Sequence, residues 1–424
     1  MNCTQNERIN QVSEQTLVIG VDIASELNYA RAFNWRGIEK GKVFKFFNNL
    51  EGFQAFNEWA HQVMSANKLT NLIVAAEPTG HYWFGLADYL KDEKLKLVLV
   101  NPFHVNRAKE LDDNHPSKTD AKDPKTIAKL VIEGRYMEPY IPEGVYADLR
   151  IMYNCRQKVT KAMISLENQL KRWFKIYFPE YLSVFGNLSG QGSMAVLEKA
   201  VLPEDIINLG VDGINKLWRE RKLRAVGMKR AESLYEAAVK SIGRREGSVG
   251  GRAEFRMLWE DYCHKMEQME KLNIELESLL HKVPQAEEML KMKGIGVVSV
   301  AGFFAEVGDL RRFESPKQIQ KLAGLAIREN SSGKHKGQTT ISKRGRARLR
   351  AVLFNAAIAL VGRNGAFKSI HEYYIGRKAN PLKKKQSIVA VSCKLIRIIY
   401  AICRHKEAYD EAKMLRDIRR EQLA

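Results

Sequence analysis

Cysteine is scarce in this chain. The five residues, Cys3, Cys155, Cys263, Cys393 and Cys403, are odd in number, widely spaced and never in a C-x-x-C pair. That excludes a cysteine-paired zinc knuckle and a disulfide framework. No leader is expected either: the stretch MNCTQNERINQVSEQ is polar with no apolar core. The longest apolar run, around Ala351–Val361, is interrupted by Asn355 and is too short to span a bilayer. A cytoplasmic protein with no membrane partner is expected. Acidic residues are scarce in one region only. Residues 311–424 hold 27 Lys/Arg against 8 Asp/Glu, so nearly all of the net charge of +20 lies in the last quarter of the 424-residue chain. A near-neutral body with a strongly basic end points to a polyanion partner, most simply nucleic acid.

What is present is an ordinary globular composition, 45% apolar and 28% charged, with enough length for two to four domains of about 100–200 residues. Thr16–Ala24, Asn71–Gly80 and Leu95–Asn101 read as buried strands, with Tyr29–Trp35 and Lys42–Phe47 as hairpin neighbours of the first. Asn49 opens a helix over Glu51–Ala66, and Trp83–Lys91 and Lys118–Gly134 are helical in pattern. A mixed sheet covered by helices follows. Next come two seams of heptad rhythm. Leu149, Met152, Arg156, Val159, Met163, Leu166, Leu170, Trp173 and Tyr177 form the first; Leu258, Tyr262, Lys265, Met269, Leu272, Leu276, Leu279 and Val283 form the second. Each predicts a coiled-coil helix, or else a helix of an ordinary bundle. Residues 179–254 between them read as a helical insert without legible chemistry. The expected domains are 16–145, coiled-coil helices over 146–178 and 255–285, the insert 179–254, and a basic domain over 286–424. In the last, a helix ends at Lys293, Gly294-Ile295-Gly296 turns the chain and a helix begins at Val297. That is a helix-hairpin-helix form whose amides suit a backbone phosphate. A glycine-rich basic stretch, Glu329–Gly345, and two closing helices, Arg346–Gly362 and Gln386–Arg420, complete the chain.

Four acids stand out. Asp22 lies within a strand run, where a charge is costly unless paired or metal-bound. Glu77 closes a second run. Asp120 and Asp123 are three apart, on one face of a helix. Each alone reads as a surface or capping residue; converging, they suit Mg²⁺ or Mn²⁺, hard cations that take oxygen ligands and promote phosphoryl transfer. Lys343, Arg346 and Arg350 recur at helical spacing as a basic face, with Arg348 off the stripe and Lys383–Lys385 as a second cluster. Tyr373 and Tyr374 are either core or platforms for unpaired bases.

The carboxylate quartet resembles the RNase H-like fold of RuvC-type junction resolvases. More narrowly, GVDIA, AAEPTGHYW, VNPFHVNRAKE and KTDAKDPKTIAKL, followed by GIGVVSVAGFFAEVGDLRRF and QKLAGLAIRENSSGKHKGQTTISKRGRARLRAVLFNAA, resemble the DEDD transposases of bridge-RNA-guided insertion sequences, to which pilin-gene invertases also belong. The fold class implied is α/β plus α: a RuvC-like N-terminal domain, coiled-coil helices and a mostly helical C-terminal transposase domain. The resemblance covers roughly residues 16–178 and 256–365 and leaves the insert unmatched. It implies that Asp22, Glu77, Asp120 and Asp123 are the metal-binding acids. It also implies that Ser332, the serine followed by Gly333, is the nucleophile, and the position before it, often Asp in the family, is Ser331 here. Lys334, Lys336, Lys343 and Arg344 would neutralise the phosphoryl group, and Arg346, Arg350, Gly294 and Gly296 would contact nucleic acid. The partners implied are double-stranded DNA at the element's ends and target, a bridge RNA, and further copies of the chain in a dimer or tetramer. A metal-dependent junction nuclease without a covalent intermediate and a catalytically dead nucleic-acid-binding protein are the competing readings.

Overall fold

The computed structural model describes residues 4–112, 123–328, 331–332, 335–336 and 339–422, which form two compact units, Met1–Ile141 and Pro142–Ala424. In the first, α1 (Gln5–Asn10) precedes β1 (Thr16–Asp22), β2 (Leu27–Phe33) and β3 (Phe44–Phe47). Then follow α2 (Leu50–Ala66), β4 (Asn71–Ala76), α3 (Trp83–Asp92), β5 (Lys96–Val100), α4 (Pro102–Asp112), α5 (Asp123–Ile132) and β6 (Tyr136–Met137). The predicted strands pair in one mixed sheet of order β3-β2-β1-β4-β5-β6, in which β1, β4 and β5 are parallel. β1 is apolar without alternation because both of its faces are covered. Leu17, Ile19 and Val21 pack with Phe56 and Leu86 on one side; Val18 packs with Ile127 and Ala128 of α5 on the other. Asn49 caps α2 as expected, its Oδ1 accepting from the Gly52 amide at 2.8 Å.

The second unit is helical. α6 (Val145–Tyr177) leads into α7 (Tyr181–Val184), α8 (Gln191–Leu197), α9 (Pro203–Glu220) and α10 (Met228–Val239), and α11 (Ser248–Leu280) returns alongside α6. The first predicted seam and the second as far as Leu279 therefore lie on 33-residue helices that pair antiparallel within one chain, and Val283 falls beyond the end of α11. At one end Leu149 and Tyr153 share a core with Leu276 and Leu280; at the other Leu170 and Trp173 share a core with Leu258 and the insert. Arg156, the polar break in the first seam, donates to Asn273 Oδ1 at 2.8 Å. The insert leaves α6 and rejoins α11 at one place, where the Arg244 amide donates to the Ile176 carbonyl at 2.8 Å.

Beyond the pair come α12 (Ala286–Leu290), α13 (Val297–Val307), α14 (Pro316–Leu322), and four two-residue strands, β7 (Ile327–Arg328), β8 (Ser331–Ser332), β9 (His335–Lys336) and β10 (Thr340–Ile341). These are followed by α15 (Ala347–Arg363), α16 (Gly365–Gly376), α17 (Lys384–His405) and α18 (Glu411–Gln422). The helix before the glycine turn ends at Leu290, not Lys293. The two closing helices expected are four. Asn364 starts α16, its Oδ1 accepting from the amides of Ala366 and Phe367 at 3.0 and 3.1 Å, and Lys406 leaves α17 with φ of 53°. α17 also corrects the search for apolar runs. Among the described residues it is the one helix long and apolar enough to cross a membrane by length and composition. Its Val391, Leu395, Ile396 and Ile399 are buried in the C-terminal core, as in a core helix.

Candidate active site

The site in the first unit is assembled by register. β1 and β4 run parallel with Gly20 opposite Ala75 and Val21 opposite Ala76, so Asp22 and Glu77, each one step on, stand side by side at the carboxyl ends of adjacent strands. Alternation puts Asp22 on the face of Val18, and Glu77 on the face of Ile73 and Ala75, which is the face covered by α4 and α5. The carboxyl ends of parallel strands are where open α/β sheets place ligands.

Gly20 brings the third acid in. A Cβ at this position would lie 1.9 Å from the Pro124 carbonyl oxygen, so only glycine lets the start of α5 rest on β1. Asp123, the residue before Pro124, is thereby held over the strand ends. Its carboxylate pairs with Lys109 of α4, Nζ to Oδ2 at 2.5 Å. Burial pushes the Glu77 carboxyl above the usual carboxylate range, the Lys109 ammonium draws it back, and the negative charge of Asp123 pushes it up. Asp22, Glu77 and Asp123 are all half-buried. Asp120 lies outside the described residues. Among the described residues no three acidic, histidine or cysteine side chains close into a metal cage. The donor chemistry nonetheless fits a hard cation: the acids offer oxygen only, and two of them raise each other's energy in a way that a cation relieves.

The predicted serine and most of the predicted basic residues lie in the second unit. β7 pairs with β10, and in a separate two-stranded sheet Ser331 pairs with Lys336 and Ser332 with His335, so Ser332 lies on the inner rung of the β8–β9 hairpin. Gly333 and Lys334 lie outside the described residues. The base of the hairpin is anchored. The amides of Ser342, Lys343 and Arg346 donate to the carbonyls of Ala326, Gly324 and Leu322 at 2.8, 3.0 and 2.7 Å. Gly345 permits this approach, since a Cβ there would lie 2.5 Å from the Leu322 oxygen and its φ is 152°. Two predicted phosphate ligands have tertiary partners. Arg350 Nη1 donates to the Ala323 carbonyl at 3.0 Å. Arg346 Nη1 donates to the Glu306 carbonyl and lies 3.6 Å from its carboxylate. Arg348, off the stripe, donates to Asn154 at 2.6 Å. Arg344 and Lys383–Lys385 are exposed. Gly294 has φ of 107° and packs against α15, whereas Gly296 is the N-cap of α13. Tyr374 packs against the C-terminal core. Lys109 is not singled out by the sequence; it lies inside a quoted motif, but no spacing rule ties it to an acid 14 residues later.

Comparison with known proteins finds a match in each unit. A DEDD transposase model of the IS110 type matches residues 19–179, which include all four acids. The model of the transposase IS116/IS110/IS902 family matches residues 286–374, which include the hairpin. The uncharacterized 44.8 kDa protein of insertion element IS116 from Streptomyces clavuligerus is 24% identical over 300 residues, 70% of this chain and 73% of that one. The pilin gene-inverting protein of Moraxella bovis is 31% identical over 156 residues, 35% of this chain and 47% of that one. The transposase for insertion sequence element IS1111A from Coxiella burnetii is 26% identical over 135 residues, 32% of this chain and 37% of that one. A mixed α/β unit followed by a helical basic unit, matched in this order, defines an insertion-sequence transposase, a protein of DNA recombination. The chain belongs to the IS116/IS110/IS902 family, both of whose transposase domains it carries. Its DEDD-type domain points to dependence on a divalent metal.

Proposed function

We propose that the chain cuts and rejoins DNA through a phosphoserine intermediate on Ser332, with Asp22, Glu77, Asp120 and Asp123 holding Mg²⁺ or Mn²⁺. The observation that carries this reading is the register of β1 and β4, which sets Asp22 beside Glu77 while Gly20 admits the start of α5. Acids at the carboxyl ends of parallel strands in a mixed sheet also support an RNase H-like first unit. The substrates are double-stranded DNA at the element's ends and target. A bridge RNA directs the choice of site, and the working form is a dimer or tetramer; these two follow from the family resemblance.

In the proposed step the Ser332 hydroxyl oxygen attacks the phosphorus of a DNA phosphodiester. A P–O bond to serine forms as the P–O bond to one deoxyribose oxygen breaks; the serine gives up its proton and the departing oxygen takes one up. Attack by the hydroxyl of an exchanged strand then releases the serine. The bond energy is kept throughout, so rejoining needs no ATP, whereas hydrolysis by water would discard it. A bound divalent cation supplies Lewis-acid neutralisation of phosphoryl charge and eases deprotonation of the attacking hydroxyl. Lys334, Lys336, Lys343 and Arg344 add fixed positive charge beside the serine. Arg346 and Arg350 are proposed to face nucleic acid as well as anchor the hairpin.

The test uses labelled DNA on denaturing gels with peptide mapping. Wild type is expected to give a covalent adduct at Ser332. Ser332→Ala binds DNA but gives none, Ser331→Ala retains activity, and Asp22→Asn abolishes strand exchange. An adduct mapping to Ser331, or cleavage without an adduct under trapping conditions, would overturn the assignment.

A further inference from the structure

The insert, residues 179–254, offers no chemistry to a sequence reading, yet its fold builds a charged cleft. Neither family model covers it. Trp218 on α9 donates its ring N–H to the Gly192 carbonyl at 2.9 Å. Arg219 hydrogen-bonds to the Val226 carbonyl. Gly192 and Val226 lie so close that a Cβ on Gly192 would come within 2.8 Å of a Val226 methyl. These contacts fasten the loop between α9 and α10 to the glycine-rich loop around α8. Between the two loops lies a cleft of about 620 Å³, with the backbone of Gly186, Gly190 and Gly192 on one wall and Lys222, Arg224 and Arg230 on the other.

The charge along the α9–α10 loop is strongly one-sided. Residues Arg219–Arg230 include six cations and a single acid, Glu220. Arg219 is committed to a backbone carbonyl and Arg221 to Glu198. The other four, Lys222, Arg224, Lys229 and Arg230, are exposed. No carboxylate lies within ion-pair distance of them among the described residues. Arg230 is held at the rim by stacking over Phe185, 5.4 Å from the ring centroid. Phe185 itself is 5% exposed, so no aromatic ring is available there for base stacking. Unneutralised cations on one wall of a rigid cleft, opposite a wall of bare backbone, match a chain of phosphates better than a peptide. A cleft of this size takes a ligand of one or two nucleotides' bulk and is too narrow for a duplex.

We infer that this cleft in the insert binds the phosphodiester backbone of a single-stranded nucleic-acid segment, without reading its bases. It is separate from the basic face of the C-terminal core. Along α6, Trp173 in the insert's core and Tyr153 in the C-terminal core are 20 residues apart, about 30 Å at 1.5 Å per residue.

Two triple variants test this in the full-length protein, Lys222→Gln/Arg224→Gln/Arg230→Gln and the corresponding Glu triple, with folding checked by circular dichroism. The probes are a short single-stranded RNA, a single-stranded DNA of the same sequence, and the matching DNA duplex, titrated by fluorescence anisotropy across salt concentrations. For the single strands, the slope of log affinity against log salt should flatten by about one unit, at about 0.7 for each of the one or two phosphates that are no longer neutralised. The duplex slope should stay as in wild type. A change in only one single-strand arm assigns the sugar; a change in both assigns the backbone they share. If the Glu triple does not fold, the Gln triple decides. Unchanged slopes for both single strands, or a change confined to the duplex, would overturn the inference.

Discussion

Lys109 and Asp123 form an ion pair at 2.5 Å, with side chains 31% and 27% exposed. They come from two helices, α4 and α5, that cover the same sheet face. The pair places an ammonium group beside acids that would otherwise repel one another, so Lys109 is a local counter-charge of the carboxylate group.

Lys109→Met should therefore destabilise the metal-free protein and increase its response to metal. A loss of about 1 kcal/mol, typical of a partly exposed pair, corresponds to a fall of about 2–4 °C in Tm in EDTA. Added Mg²⁺ should raise the variant's Tm by more than it raises that of wild type. Scanning calorimetry with and without Mg²⁺ measures both. Equal Mg²⁺ responses would show that Lys109 and the cation do not share a task.

Gly20→Ala probes the contact that positions α5. With a Cβ 1.9 Å from the Pro124 oxygen, the helix start must move and Asp123 with it. Overpacking of this kind costs about 1–3 kcal/mol. Urea unfolding should register that loss, and DNA cleavage should fall below detection even where the variant remains folded. Full cleavage by a destabilised variant would separate the helix position from the chemistry.

Arg350→Lys keeps the charge and removes the guanidinium fork. The Ala323 carbonyl that Arg350 Nη1 now contacts loses its donor, at a cost of about 1 kcal/mol. Thermal unfolding should show the destabilisation, and the salt dependence of DNA binding should match wild type because the cation remains. A flattened salt slope with unchanged stability would mean that the fork's partner is phosphate alone.

The parts of this fold that are legible in the sequence are those governed by local pattern. β1, β4 and β5 are apolar runs closed by turn residues, α2 begins at an asparagine cap, and α6 and α11 carry apolar residues at heptad spacing. What is not legible depends on packing between distant segments. β6 is two residues long and exists through pairing with β5. The break between α15 and α16 turns on a side-chain cap at Asn364, a residue that also occurs inside helices. At the site, Asp22 and Glu77 are visible as acids of strand runs and Asp123 as an acid at a helix start, whereas Lys109 has meaning only once α4 and α5 are packed together. Lys343, Arg346 and Arg350 read as a helical stripe, but α15 begins at Ala347, so only Arg350 of the three lies on the helix, and the hydrogen bonds of Arg346 and Arg350 to Glu306 and Ala323 require the folded C-terminal core.

The return of the insert's chain to the point where α6 ends has a consequence for engineering. Because the stretch of chain between Ile176 and Arg244 starts and finishes at one hydrogen bond, the insert is a cassette on a two-helix handle. It can be exchanged for another fold with closely spaced termini, or for a short loop with the Trp173 end recapped by polar residues, while the serine hairpin at the opposite end of the handle keeps its own core.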